Sequence, residues 1–379
     1  VTTYSVPNAS QVSVTAQGSS VPQWFGAIGH VVGLQYSYAC PGGADQAQWT
    51  LEVPAQYRNA AMNPGGNVSI HRGGHVVWTG KLDEPVPTSA GWTMSAIGTG
   101  NLGTDYLAIY TGSWGTGTPD NAVNAAITRG LPWANPGIGT PSGMWVGQEI
   151  DSGAQTITAL LNLVCTRGGL TWYVNSQPGG LPGADLTVFT LPSTVNRLLI
   201  SSTPVPRTLG GDINTIYIRY EVTADNATSG ATATYATTSV QNAASVAAHG
   251  VIEVFIDLSD VGVQTATAAQ AVGNHVLALY QRASFAGPFT VSPGQLTTTG
   301  GQAVDLGTDQ AGTVCKLMLT DYGYGAEVVP GPISFLVGAY SYDDQSQTAQ
   351  ITPFQALDQS LTGLLSMEST ILTPITAAS

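Results

Sequence analysis

The sequence predicts a mainly β fold with α+β parts. Short runs alternate apolar and polar residues with period two, glycine and proline punctuate nearly every run, and four stretches read as helix. The order along the chain is β, then α+β, then β with a helical insertion.

The first hundred residues are the most regular. Ser10–Ala16, Leu34–Cys40, Ala47–Val53 and Trp92–Ile97 alternate and stop at turn residues such as Pro41-Gly42-Gly43 and Pro54. Asn67–His71 and His75–Thr79, joined by Arg72-Gly73-Gly74, predict the clearest hairpin, because glycine reaches positive φ without strain. Many short strands at regular spacing predict a small barrel or sandwich. From 101 to 200 the texture changes. Asp120–Arg129 predicts a short helix bounded by Pro119 and Gly130, and Gln155–Thr166 predicts a second helix ending at Gly168-Gly169. The strands Leu170–Val174 and Asp185–Thr190 follow, and Pro204-Val-Pro206 marks a boundary. The third part opens with the alternating run Asn214–Val222, passes a Thr/Ala/Ser-rich stretch, and continues with the strand Val251–Ile256. Ala268, Val272, Val276, Leu279 and Tyr280 then sit near helical spacing within 265–282. Strands are expected at 289–291, 303–306, 313–319, 333–340 and 348–351, and a terminal helix at Ala356–Leu365.

Composition bounds the function. A length of 379 residues fits two or three domains. Hydrophobic residues make up 43%, and charged residues 9% against a usual ~25%. The chain is apolar enough for a real core, so global disorder is excluded. Ten Lys and Arg against 23 Asp and Glu give a net charge of −13, which excludes a basic footprint for tight nucleic-acid binding. Cys40, Cys165 and Cys315 are an odd, widely spaced set, expected to be reduced and buried. Val1–Val6 lacks a signal-peptide pattern, and no run approaches the ~20 apolar residues of a membrane span. The sequons at Asn8, Asn67 and Asn226 are chance matches in a Thr/Ser-rich chain.

Tests for chemistry return little. Gly98-Thr-Gly100-Asn-Leu-Gly103, with Asp120 beyond, matches a dinucleotide fingerprint, but a hairpin array precedes it and glycine-broken sequence follows. His71 and His75 flank the hairpin turn and are expected to face each other, yet they supply only half a zinc set. His30, His249 and His275 are isolated. The carboxylates Asp83-Glu84, Asp257 with Asp260, and Asp343-Asp344 have no pattern that forces an acid–base pair, and Asp343-Asp344 reads as a turn. Cys165 reads as a core thiol, and the eight Trp and fifteen Tyr as core and interface. No nucleophile elbow, Walker loop or HExxH occurs. Catalytic, cofactor-binding and metal-binding residues are accordingly predicted to be none, and the chain is not expected to be an enzyme.

Tyr36-Ser-Tyr38, Pro41-Gly42-Gly43, Trp49-Thr-Leu51, Asn63-Pro64-Gly65, Ile70–Gly74, Val77–Gly80 and Leu82–Pro85 occur in the order found in minor tail proteins of long-tailed actinobacteriophages. The segment from Asn242 to Pro293 resembles the later region of that family. The resemblance implies a baseplate-hub fold. It has two tube-type antiparallel β-barrels, an intervening α+β domain and a helical insertion in the second barrel. The boundaries that follow are 1–100 for the first barrel, 101–205 for the α+β domain, 206–235 with 286–350 for the second barrel, 236–285 for the insertion, and 351–379 for a terminal helix and tail. It also implies a structural virion protein. As a homotrimer at the tail tip, it would adapt a sixfold tube to a threefold tip. Implied partners are a distal tail protein or tail tube, a tape measure protein in the lumen and other tip or fibre proteins. DNA would pass without specific binding, and assembly would take place in the host cytoplasm. No cofactor and no catalytic residue carries over. The competing readings are an extracellular carbohydrate-binding or adhesin module, favoured by the aromatic content, and a hydrolase of cell-wall polymers.

Overall fold

The computed structural model describes residues 9–54, 56–107, 131, 133–134, 156–168, 170–175, 184–190, 192, 194–200, 207–208, 213–223, 232–280, 284–285, 287–318 and 333–354. The helices expected at Asp120–Arg129 and Ala356–Leu365, the boundary at Pro204–Pro206, and Asn8, Asp120 and Asn226 lie outside these residues.

The first half is antiparallel. Its elements are β1 (Gln11–Thr15), β2 (Gln23–Trp24), α1 (Phe25–Ile28), β3 (His30–Ala39), β4 (Gly42–Glu52), β5 (Asn67–Arg72), β6 (His75–Leu82), β7 (Val86–Thr88) and β8 (Gly91–Gly98). Pairing runs β2-β1-β5-β6-β8-β4-β3, with β7 also on β8. Alternation puts Tyr36, Tyr38, Trp49, Leu51, Trp78 and Met94 in the core. The hairpin loop is shorter than the sequence suggests. Gly73 and Gly74, at φ +56° and +82°, form a two-residue turn that pairs Arg72 with His75.

The middle segment holds β9 (Trp133–Ala134), α2 (Ile157–Gly168), β10 (Leu170–Asn175) and β11 (Ala184–Thr190). β10 and β11 form a hairpin, and β10 docks parallel to β4 at Gly42 and Gly43. Gly43 is at φ +115°, and a Cβ there would lie 2.3 Å from the Val174 carbonyl oxygen, so only glycine permits this approach.

The remainder contains β12 (Arg197–Leu199), β13 (Arg207–Thr208), β14 (Thr215–Thr223), β15 (Thr234–Gln241), α3 (Ala243–His249), β16 (Glu253–Val263), α4 (Ala266–Tyr280), β17 (Ser284–Phe285), β18 (Phe289–Val291), β19 (Leu296–Thr298), β20 (Val314–Leu317), β21 (Ile333–Asp343) and β22 (Thr348–Pro353). Pairing in the second half runs β19-β12-β20-β21-β22-β18. β14, which the resemblance puts in the 206–235 part of a second barrel, forms a three-stranded sheet with β15 and β16. α4 packs on that sheet over its own core of Ile216, Ile218, Val254, Leu258, Ala269 and Val276. The strand expected at 303–306 is also replaced, by a 3-10 turn at Leu306–Thr308 capped by Asp305.

The two halves are one sheet. β3 and β21 pair antiparallel, with Tyr36 opposite Tyr342, Ser37 opposite Ser341 and Tyr38 opposite Tyr340. The facing rings lie 5.4 and 6.5 Å apart by centroid and continue both cores across the seam. Among the described residues, seventeen strands join in this way. Among the described residues, no helix is long and apolar enough to cross a membrane.

Candidate functional surfaces

Six strands, in the order β8-β4-β3-β21-β22-β18, carry the seam and span both halves. Their inward residues are mostly apolar or aromatic, and amides and hydroxyls predominate in two rows of the outward face. One row across the strands reads Ser95, Gln48, Gln35, Asp343, Thr348. The next contains Ile97 beside Gln46, then Ser37, Ser341, Gln350 and Thr290. The first row is ordered by its own hydrogen bonds. Gln48 Nε2 donates to Gln35 Oε1 at 3.0 Å, and Gln35 Nε2 donates to Asp343 Oδ2 at 3.3 Å. Ser37 Oγ donates to Asp45 Oδ2 and accepts from the Gln46 N–H. A shallow trough of about 400 Å³ runs over Gln35, Gln46, Gln48, Ser95 and Ser341. None of the ten Lys and Arg lies on these six strands. Lys81, on neighbouring β6, turns its Nζ toward the Gly65 carbonyl at 3.5 Å.

A second feature pins the halves together behind this face. Arg72 ends β5 and is 4% exposed. Its Nε donates to both Asp305 oxygens at 2.8 Å, Nη1 to Asp344 at 2.9 Å and Nη2 to Gln347 Oε1 at 3.0 Å. The guanidinium lies 5.1 Å from the centre of the Tyr342 ring. Burial alone pulls the Arg72 pKa down, but Asp305, Tyr342 and Tyr36 reverse that, and the net shift is upward. Asp344 also accepts from the Ser10 N–H and Oγ, so four chain segments meet at one cation. Gln347, at φ +54°, is the one non-glycine at positive φ among the described residues, and its amide donates to the Asp344 carbonyl. Asp309 makes a similar tie to Arg197 at 2.9 Å. It is 2% exposed, and burial raises its pKa despite that partner.

A third surface is the uncovered face of the β14–β16 sheet. Tyr217 stands beside Phe255 in register, and Arg219 stacks 4.5 Å over Tyr235 while reaching Asp257 at 3.5 Å. Tyr, Phe and Arg are the residue types that protein interfaces favour.

Several residues singled out in the sequence make structural contacts. Gly98 and Gly100 let β8 close onto the backbone at Ala44 and Gly42, where a Cβ would come within 2.1 and 2.5 Å. The glycine motif is therefore a packing device, and its last two residues lie in a 3-10 turn at Leu102–Thr104. His71 and His75 do not face each other. A bulge sets His71 opposite Val76, where it bonds Ser13 at 3.0 Å and packs on Trp24 at 4.6 Å. Burial lowers the His71 pKa. Among the described residues no group of three His, Cys, Asp or Glu is placed to hold a metal. Asp343 caps the β21–β22 turn through the Gln345 and Ser346 N–H groups, Asp83 accepts from the Glu84 N–H, and Asp257 from the Ser259 N–H. Cys40, Cys165 and Cys315 are buried thiols, and burial pushes Cys165 and Cys315 up to about 12. The Arg72 cluster and the polar rows were missed in the sequence. They are assembled by pairings between residues some 300 apart, and the one local hint was the matching Tyr-Ser-Tyr at 36–38 and 340–342.

No known protein family and no curated protein matches this sequence. Solved structures do. A tail protein from Neisseria meningitidis MC58 aligns with TM-score 0.57 at 11% identity, over 92% of this chain and 97% of that one. The 43 kDa tail protein of prophage MuSo2 from Shewanella oneidensis gives 0.56 at 15%, over 92% and 98%. Prophage tail protein gp18 from Listeria monocytogenes EGD-e gives 0.62 at 10%, over 96% and 100%. At these identities the likeness is one of fold, and it extends over nearly the whole of each chain: the protein is built on the fold of these phage and prophage tail proteins.

Proposed function

We propose that this chain is a structural protein of a bacteriophage tail tip, a subunit of a trimeric hub ring that adapts the sixfold tail tube to a threefold tip and lets DNA pass during ejection. The observation that carries the reading is the single sheet spanning two β halves of one chain through β3 and β21. Three copies of a two-half subunit present six halves around an axis, and closed rings are the usual outcome of heterologous contacts that close. The match in fold to tail proteins over the full chain supports the same assignment. In this reading 9–104 is one ring-forming half. The other is 197–199 with 287–318 and 333–354, and 213–223 with 232–280 is inserted between β12 and β18. The partners are a tail tube or distal tail protein, a tape measure protein in the lumen and other tip or fibre proteins. The chain works by assembly, without catalysis, in the virion, after assembly in the host cytoplasm.

Native mass spectrometry and negative-stain imaging of the purified full chain test this. A threefold ring with an axial channel is expected. A particle that stays monomeric or dimeric at all concentrations, or a ring of another order, would overturn the hub assignment.

A further inference from the structure

We infer that Asp309 is a proton-operated latch: as an anion it clamps Arg197, and on mild acidification it takes up a proton, lets Arg197 go and loosens the β12–β19 margin of the sheet. The latch lies within a single chain and does not depend on ring formation.

Asp309 follows the 3-10 turn at Leu306–Thr308 and precedes β20. Its side chain is almost fully buried, yet only one oxygen is bonded. Oδ1 accepts from Arg197 Nε at 3.1 Å and Nη2 at 2.9 Å, while Oδ2 makes no hydrogen bond. A buried carboxylate can accept several bonds, and one that goes short is costly to keep charged. The groups that face it are Tyr38 from β3, Tyr173 from β10, Tyr340 from β21 and Cys315 from β20, with Arg197 from β12. None of the three phenols donates to Oδ2. Tyr38 donates to the Val77 carbonyl, Tyr340 to the Leu306 carbonyl at 2.6 Å and Tyr173 to Gln310 Oε1 at 3.2 Å. Burial pushes the phenols well up and Cys315 up to about 12, so all four stay neutral from pH 8 downward. Asp309 is the member of this set left to titrate there. Burial raises its pKa, and Arg197 and the Gln310 N–H only partly offset that.

The set also explains what moves. Tyr38 belongs to the first half, Tyr173 to the middle segment, and Tyr340 and Cys315 to the second half, so one proton acts where three parts meet. Arg197 is the member with a way out: its side chain is 24% exposed, and Nη1 already donates to the Asn196 carbonyl at 3.1 Å. It opens β12, which has three residues and lies between β19 and β20. Asn196 fastens the β20 side through two bonds with Val314, at 3.1 and 3.0 Å. The three-residue β19 is therefore the side that yields. The sign is distinctive. The native chain binds this proton more readily than the unfolded one. Global stability from Asp309 thus rises as pH falls through the native value toward the unfolded value of roughly 3.9. Local loosening accompanies a global gain, whereas ordinary acid unfolding lowers both.

Amide hydrogen exchange of the purified full chain between pH 8 and 3.5, corrected for intrinsic rates, tests the latch. Peptides covering β12 and β19 are expected to exchange at least about fivefold faster in the acid form, with a midpoint above the ~3.9 of an ordinary Asp. Asp309→Asn, neutral and of the same shape, should exchange fast there at every pH and show no transition. A second readout serves if that variant does not fold: the infrared band of a buried protonated carboxyl. It should grow in with the exchange transition in wild type and appear at higher pH in Arg197→Gln, which lacks the charge that favours the anion. Unchanged exchange in β12 and β19, a midpoint at or below ~3.9, or the same transition in Asp309→Asn overturns the latch. So does loosening that spreads through every strand at once, or a carboxyl band that Arg197→Gln leaves in place.

Discussion

Arg72 offers the sharpest test of how the two halves are held. Replacing it with Met keeps the buried stem and removes the guanidinium. The change strips Asp305 of its two 2.8 Å bonds, Asp344 of one at 2.9 Å and Gln347 of one at 3.0 Å. Removing one partner of a buried pair costs 3–5 kcal/mol, roughly, because the other charge stays desolvated. Two features place this site at the lower end. Asp344 keeps its bonds from Ser10, and the Asp305 side chain is 34% exposed and still accepts from the Gly307 N–H. The expected loss for Arg72→Met is therefore about 3 kcal/mol. Arg72→Lys retains the charge without the planar fork and is expected to lose about half as much. Urea unfolding followed by tryptophan fluorescence reads both, and a cycle with Asp344→Asn isolates the pairing from the desolvation. A loss below about 1 kcal/mol for Arg72→Met, the scale of an exposed ion pair, would refute the view that this cation is a buried tie between halves.

Other outcomes follow from single residues. Gly43→Ala is expected to cost about 3 kcal/mol or more, from backbone strain and the collision with Val174, whereas Gly73→Ala, with open space around it, costs about 1 kcal/mol; urea midpoints of the two variants check the contrast. At pH 8 a thiol reagent should find no reactive cysteine in the native chain and three after unfolding, because all are buried and Cys165 and Cys315 are pushed up to about 12. His71 has a lowered pKa, so the unfolded chain binds its proton more readily. Its contribution to stability is complete above an unfolded value of roughly 6.5 and is lost as pH falls below it. His71→Gln should flatten the decline in urea midpoint between pH 7.5 and 5.5, and an unchanged slope would assign that decline to other groups.

Local pattern carried much of the fold and little of its assembly. Period-two alternation located the longer strands of the first hundred residues but not the short β2 and β7, and helical spacing located α2 and α4, because those signals sit within a dozen residues of each other. β15 escaped notice, since Thr234–Gln241 is a polar edge strand with only Ala236 and Val240 turned toward the helix. β12 and β19 are three residues each, too short for a period to show. Alternation also cannot say which sheet a strand joins. β14 alternates as cleanly as β3, yet it pairs with β16 in parallel and leaves the second half altogether. For the candidate surfaces, the sequence supplied the residue types but not their company. Gln35 joins Asp343 in one row and Ser37 joins Ser341 in the next only when β3 meets β21, and Arg72 finds its carboxylates 233 and 272 positions away.

The shared seam also dictates an order of events during synthesis. β3 emerges from the ribosome some three hundred residues before the strand that covers its margin. Until then Tyr36 and Tyr38 wait on an open border, an invitation to sticky encounters with other nascent chains. The portion made first is thus the portion completed last, and a fragment cut after the opening hundred residues inherits a permanent raw edge.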